Sequence, residues 1–128
     1  MITADKIITI ISDYFKIARC NLGIRSRNML FVMPRHLAIY FIRENTNLSY
    51  REIGAYFNRD HATVIHAIKS VNNQVETDRY YKDVFDEIEL FIKQEKIKEA
   101  IIEAVVKHDV FQENDFYTTE EMQRNICI

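Results

Sequence analysis

Apolar residues recur along this chain at helical rather than alternating spacing, and they divide it into a series of helices. Thr3 can cap a first helix with Asp5 in its opening turn. Ile7, Ile8, Ile11, Tyr14, Phe15 and Ala18 then trace one wide stripe, which Asn21-Leu22-Gly23 ends. Residues 28–45, NMLFVMPRHLAIYFIREN, are strongly apolar and contain Pro34, whose missing amide predicts a helix that starts or kinks there. Leu37, Ala38, Phe41 and Ile42 face inward, which makes this the buried central helix, with Phe31 and the methionines as core filling.

The stretch from Ser49 to Val71 predicts two helices joined by a tight turn. Ser49 followed by Glu52 spells a capping box, and Ile53, Tyr56 and Phe57 make the apolar face of the first helix. Asn58 and Arg59 interrupt the pattern. Asp60 can then accept hydrogen bonds from the amides of a second helix whose inward positions are Val64, Ala67, Ile68 and Val71. Helices of about 9 and 15 residues across so short a turn follow the helix-turn-helix plan, in which the second helix enters a DNA major groove by its N-terminal end.

Asp78 predicts the start of a further helix with Tyr81, Val84, Phe85, Ile88, Phe91 and Ile92 as its stripe, closing a first domain over residues 1–94. Residues 95–128 form an acidic tail. Its first part, EKIKEAIIEAVVKH, is a separate amphipathic helix with Ile97, Ala100, Ile101, Ala104 and Val105 on one face. That helix either docks back onto the domain or offers its stripe to a protein partner or a second copy. From Asp109 on, polar residues suggest a loop, with one last helical turn at Thr118-Thr119-Glu120-Glu121.

Composition narrows the class. A 48% apolar share over 128 residues supports a core of ordinary size, and two glycines and one proline leave little punctuation, so the fold class is all-α. The formal net charge of −2 conceals a strong asymmetry. Residues 1–75 hold ten Lys and Arg against five acids, whereas residues 76–128 hold seven against fourteen. The basic part contains the helix-turn-helix, and the acidic part suits a different partner or screens the first from indiscriminate DNA binding. Cys20 and Cys127 are too few and too far apart to suggest a disulfide framework or a paired-cysteine zinc site, which favours a reducing compartment. With no signal-peptide pattern and no apolar stretch approaching the ~18 residues of a membrane span, the protein is expected to be soluble and cytoplasmic.

The leading end of the second helix carries the residue types that touch DNA. The Asp60 carboxylate can accept from a cytosine amino group, His61 can donate to or accept from base edges, and the Ala62 methyl can sit against a thymine methyl. His66 and Lys69 follow on the side away from the core. Arg59 and the Thr63 hydroxyl would more naturally reach phosphate. Arg25-Ser26-Arg27 is a small basic patch ahead of the central helix, which on its residues alone reads equally well as a solvated loop. Arg35 and Arg43 lie near enough to one side to face a single sugar-phosphate strand, with a surface ion pair, for instance to Glu44, as the ordinary alternative.

IGAYFNRDHATVIHA, residues 53–67, closely resembles the signature of the C-terminal DNA-binding domain of the bacterial replication initiator DnaA. In that signature an Ile-Gly helix leads through a turn to Arg-Asp-His and Thr-Val. The likeness extends over residues 2–94 through ITADKIITIISDYFKI, IRSRN and MPRHLAIYFIRENTNLS. It implies a compact helical domain that recognises a short asymmetric duplex, the DnaA box, with the second helix in the major groove and an arginine in the minor groove. By the same resemblance Arg27 takes the place of the minor-groove arginine. Arg35 and Arg43 match backbone-contacting positions, Tyr50 and Arg51 stand at the start of the first helix, and Asp60, His61 and Thr63 match the recognition contacts. The chain departs from the pattern at Ala62, usually Thr or Ser, and at Met29 and Met33, where further arginines are common. The turn Asn58-Arg59 is also one residue shorter than the Gly-Gly-Arg form. These departures bear on preferred sequence and affinity.

Other chemistry finds little support. His61 and His66 are five apart, about 140° around a helix, so they do not share a face as metal ligands would. His36 and His108 add no cysteine or carboxylate cluster. Arg59-Asp60-His61 has no serine, cysteine or glycine turn placed for a nucleophile, and no Gly-x-x-x-x-Gly-Lys-Ser/Thr loop occurs, so neither an enzyme nor a bound cofactor is expected. The reading is a stand-alone, sequence-preferring binder of double-stranded DNA without the ATP-driven part, serving as a replication or transcription regulator or a phage or mobile-element accessory. The alternative is an interaction adaptor that retains the fold and binds a protein through its acidic C-terminal helix.

Overall fold

A computed structural model describes residues 2–109, and every regular element among them is helical. Helix α1 (Ala4–Phe15) leads through a short 3-10 turn (Arg19–Gly23) to α2 (Met29–Asn45). Helix α3 (Tyr50–Phe57), α4 (His61–Thr77) and α5 (Arg79–Asp109) follow. The chain divides into two compact units after Lys96.

In the first unit the apolar stripes converge on one core. Ile7 and Ile11 of α1, Leu37 and Ile42 of α2, Ile53 of α3 and Val64 and Val71 of α4 are fully buried, each worth roughly 1.5–3 kcal/mol of transfer free energy. Helix α2 packs against α1, α3 and α4, which makes it the central helix its composition suggested. Tyr81, Val84, Phe85, Ile88 and Ile92 bring the first part of α5 into the same core, where Phe85 lies 4.9 Å from Phe41 and 5.2 Å from Tyr40 between ring centroids. An ion pair of 2.9 Å from Lys6 to Glu95 and a hydrogen bond from Tyr14 to Glu87 tie α1 to α5.

Five expectations shift. Of the residues expected as core filling, Met33 is buried, but Met29 is 54% exposed and Phe31 is only half-buried, because both stand in the exposed first turn of α2. Helix α1 stops at Phe15 because Lys16 enters the left-handed region at φ 56°, and Ala18 is exposed. Helix α2 does not start at Pro34; it begins at Met29, where the Asn28 side chain accepts from the Leu30 amide, and carries the proline inside it. The proline deprives only the Leu30 carbonyl of its helical partner, and Leu30 is 69% exposed, so solvent can hydrate that oxygen. Tyr56 and Phe91, both expected inward, are each 46% exposed. In each case two residues spaced i, i+4 (Ile53 with Phe57, Ile88 with Ile92) define the buried line and leave the third ring at its margin. Finally, the two helices expected on either side of residue 94 are one, α5, since no glycine, proline or capping residue stands near that position.

The second unit is described through residue 109. Its helical residues Ile97, Ile101, Ile102, Val105 and Val106 are 49 to 60% exposed, and Ala100 and Ala104 are exposed too. The loop and last turn expected beyond Asp109, and Cys127, lie outside the described residues. Among the described residues no helix is long and apolar enough to cross a membrane, and no group of three or more His, Cys, Asp or Glu could hold a metal ion.

Candidate nucleic-acid interface

The α3–turn–α4 unit is built by its caps. Ser49 Oγ accepts from the Glu52 amide at 3.1 Å while the Glu52 carboxylate accepts from the Ser49 amide at 3.3 Å, closing the predicted capping box. Helix α3 ends where Asn58 takes φ 54°, the left-handed conformation that Asn tolerates better than most residues. Gly54 permits the close return of the chain: its carbonyl accepts from the Arg59 amide at 2.9 Å, and a Cβ there would collide with the Arg59 carbonyl.

Asp60 then caps α4. Its Oδ1 accepts from the Thr63 amide at 2.8 Å and from the Thr63 hydroxyl at 2.7 Å. These two bonds, side chain first, hold the Asp60 carboxyl below the usual carboxylate range. His61, Ala62, His66 and Lys69 are exposed around and beyond this first turn. The N-terminal end of α4 is thus presented outward with its capping carboxylate in place.

One open groove of about 920 Å³ runs beside that end, lined by Arg25, Ser26, Arg27, Val32, Arg35, His36, Asn58, Arg59, Asp60, Thr63 and His66. It brings together seven residues marked in the sequence: Arg25, Arg27, Arg35, Arg59, Asp60, Thr63 and His66. His61, Ala62 and Lys69 share α4 but not the groove wall. Arg43, Tyr50 and Arg51 gather elsewhere, where α2 ends and α3 begins. There the Arg43 guanidinium lies 4.1 Å from the centre of the Tyr50 ring and donates to the Leu48 carbonyl at 3.0 Å.

Three side chains have duties in the free protein other than those read from sequence. Arg35, expected to reach a sugar-phosphate strand, is 7% exposed and donates to the carbonyls of Leu22, Ile24 and Ser26. Burial, and then the nearby Arg59 charge, lower its pKa. Arg59, also expected on phosphate, donates to the carbonyls of Gly23, Ile24, Phe57 and Asn58. The Thr63 hydroxyl proton goes to Asp60, so in this conformation it is not offered to a phosphate. Arg25 and Arg27, by contrast, are exposed.

Sequence reasoning missed His36, Asn58 and Ser26 as groove residues. For His36 a signal existed: Val32, Arg35 and His36 stand at i, i+3 and i+4 of α2 and so share a face. Burial first, then the Arg35 and His66 charges, push the His36 imidazole down to about 4, so it is neutral near pH 7 and can both donate and accept.

Comparison with known proteins places this arrangement. The bacterial DnaA protein helix-turn-helix family matches residues 4–71, from α1 through most of α4. Chromosomal replication initiator protein DnaA of Acholeplasma laidlawii is 39% identical over 85 residues, 66% of this chain and 19% of that protein. The protein of the same name from Geotalea daltonii is 40% identical over 88 residues (68% and 20%), and that from Bacteroides fragilis 32% over 97 residues (75% and 20%). The chain spans about a fifth of the length of these curated relatives. A capped helix-turn-helix beside a basic groove, matched by a family model across more than half of its residues, settles the kinship: the chain belongs to the bacterial DnaA-protein helix-turn-helix family of DNA-binding domains.

Proposed function

We propose that this protein binds double-stranded DNA at DnaA-box-like sites, with the first turn of α4 in the major groove and Arg27 in an adjoining minor groove. One observation carries the reading: the exposed arginines of the Arg25–Arg27 loop share a groove with the outward, carboxylate-capped end of α4. His61 and Ala62 then meet base edges, Arg27 reads the narrower groove, and Arg25, Arg43, Arg51 and Lys69 neutralise phosphates. Within these residues the act of binding is nucleotide-independent. Gly23 and Gly54 cannot form a phosphate-binding loop, and site occupancy rather than origin melting is the work proposed, in a replication or transcription regulator or a phage or mobile-element accessory.

Titration of a labelled duplex containing a DnaA box, across a range of salt, tests this. Four phosphate contacts predict a slope of log K against log salt of about −3.6. His61→Ala should reduce the preference for the box over a scrambled duplex by roughly 1–3 kcal/mol while leaving the salt slope unchanged. Retention of no duplex even in dilute buffer would sink the reading. Added ATP should change nothing.

The exposed run Ile97, Ile101, Ile102, Val105 and Val106 favours a second reading, an adaptor that binds a protein through this helix. Ile101→Asp with Val105→Asp would then abolish capture of that partner, and the unaltered protein would retain no DnaA-box duplex.

A further inference from the structure

We infer that Arg35 and Arg59 act as a positioning pair, a two-guanidinium clamp that holds the 24–27 loop in register with the first turn of α4. Arg27 and the recognition helix then meet DNA as one rigid reader; this rests on the DNA-binding reading above.

The loop needs such a device. Between the 3-10 turn ending at Gly23 and α2 starting at Met29, the backbone belongs to no regular element; its own backbone bonds are one from the Ser26 amide to Ile24 O at 2.9 Å and those that Asn28 O accepts from the start of α2. Arg35 reaches it from α2, donating to Leu22 O at 3.3 Å, Ile24 O at 2.8 Å and Ser26 O at 3.4 Å. Arg59 reaches it from the turn that precedes α4, donating to Gly23 O at 3.3 Å and Ile24 O at 3.1 Å. The same guanidinium also donates to Phe57 O at 2.9 Å and Asn58 O at 3.2 Å, so it ties the loop to the end of α3. Ile24 O accepts from both arginines as well as from the Ser26 amide. The tethered stretch ends at Ser26, one residue before Arg27.

Stability alone does not account for this choice. Leu22, 1% exposed, already anchors the start of the loop, and burying a guanidinium costs more than burying an apolar residue of similar size. What the planar fork adds is several donors at fixed angles, able to span successive carbonyls; an ammonium of equal charge cannot do this. Two like charges on one carbonyl also repel, and a phosphate backbone across the groove relieves that repulsion.

Arg59→Lys, with Arg35→Lys as a second variant, keeps the charge and removes the fork. Two ratios are read on the same duplex. Exchanging A·T for G·C at the minor-groove step reports Arg27, and replacing thymine by uracil reports the Ala62 methyl contact. With the clamp weakened, the first ratio should fall at least about fivefold, toward the value of Arg27→Ala, and the second should stay within about twofold. In the Arg59→Lys background, Arg27→Ala should cost almost nothing more. Amide exchange, measured without DNA, should quicken at least about tenfold at Ser26 and Asn28 while α2 and α4 core amides keep their rates. Equal loss of both ratios would mean a merely structural role, and an unchanged first ratio or unchanged loop exchange would mean no clamp; each overturns the inference. Failure of the unaltered protein to retain any duplex would instead overturn the DNA-binding reading, while the exchange result still judges the clamp.

Discussion

Asn58 and Gly54 show how single residues set the turn between α3 and α4. At φ 54° Asn58 occupies a conformation that a β-branched side chain resists, so Asn58→Val should destabilise the protein by about 1–2 kcal/mol, whereas Asn58→Gly should be tolerated. Gly54 is needed for space rather than for an unusual dihedral angle. Its missing Cβ makes room for the Arg59 carbonyl, and Gly54→Ala should cost about 2–4 kcal/mol in urea unfolding, because the obstacle is backbone and cannot rotate away. His36 gives a pH dependence. Its folded pKa of about 4 lies below the ordinary 6.5, so the unfolded chain binds more protons between those values. The stability that follows is complete above about pH 6.5 and is lost as pH falls through 4, a change on the order of 2 kcal/mol given the solvent that reaches this groove. His36→Gln should flatten that part of the profile in urea midpoints taken at pH 7.5 and pH 4.5.

Among the elements, the caps decide more than propensity does. Helix α3 has only eight residues, too few to persist alone, and is held by its capping box and by Ile53 and Phe57 in the core. Ser49→Ala should cost about 1 kcal/mol, visible as a lower melting temperature with little change in the helix signal of the other elements. The capping box, the Asp60 cap and the buried positions Val64, Ala67 and Val71 were legible, since each rests on contacts between near neighbours in sequence. The end of α1 and the continuity of α5 were not. A left-handed Lys16 has no glycine to announce it, and a helix without a break carries no signal at the place where its burial ceases.

For the whole molecule, the charge asymmetry and the exposed apolar run belong to different parts of the chain. The basic excess lies in residues 1–75, which supply every groove residue, while the acidic excess begins with the end of α4. Ile101 and Val105 are 58% and 49% exposed, so replacing both with Asp should shift unfolding of the first unit by no more than about 0.5 kcal/mol. A thermal melt checks this, and a larger loss would show that this face is covered in solution.

What the sequence determined by itself is everything carried by spacing along one helix: the all-helical class, the cap-turn-cap unit, most of the core, and the outward residues of α4. The tertiary structure alone decided which arginines face solvent. Arg25, Arg27, Arg35 and Arg59 are alike as residue types and each follows a plausible basic pattern. Yet Arg25 and Arg27 are exposed, while Arg35 and Arg59 turn inward to carbonyls eleven and thirty-five residues away at Ile24. A guanidinium goes wherever its donors find acceptors, and where an irregular loop places its carbonyls is settled only when distant helices pack.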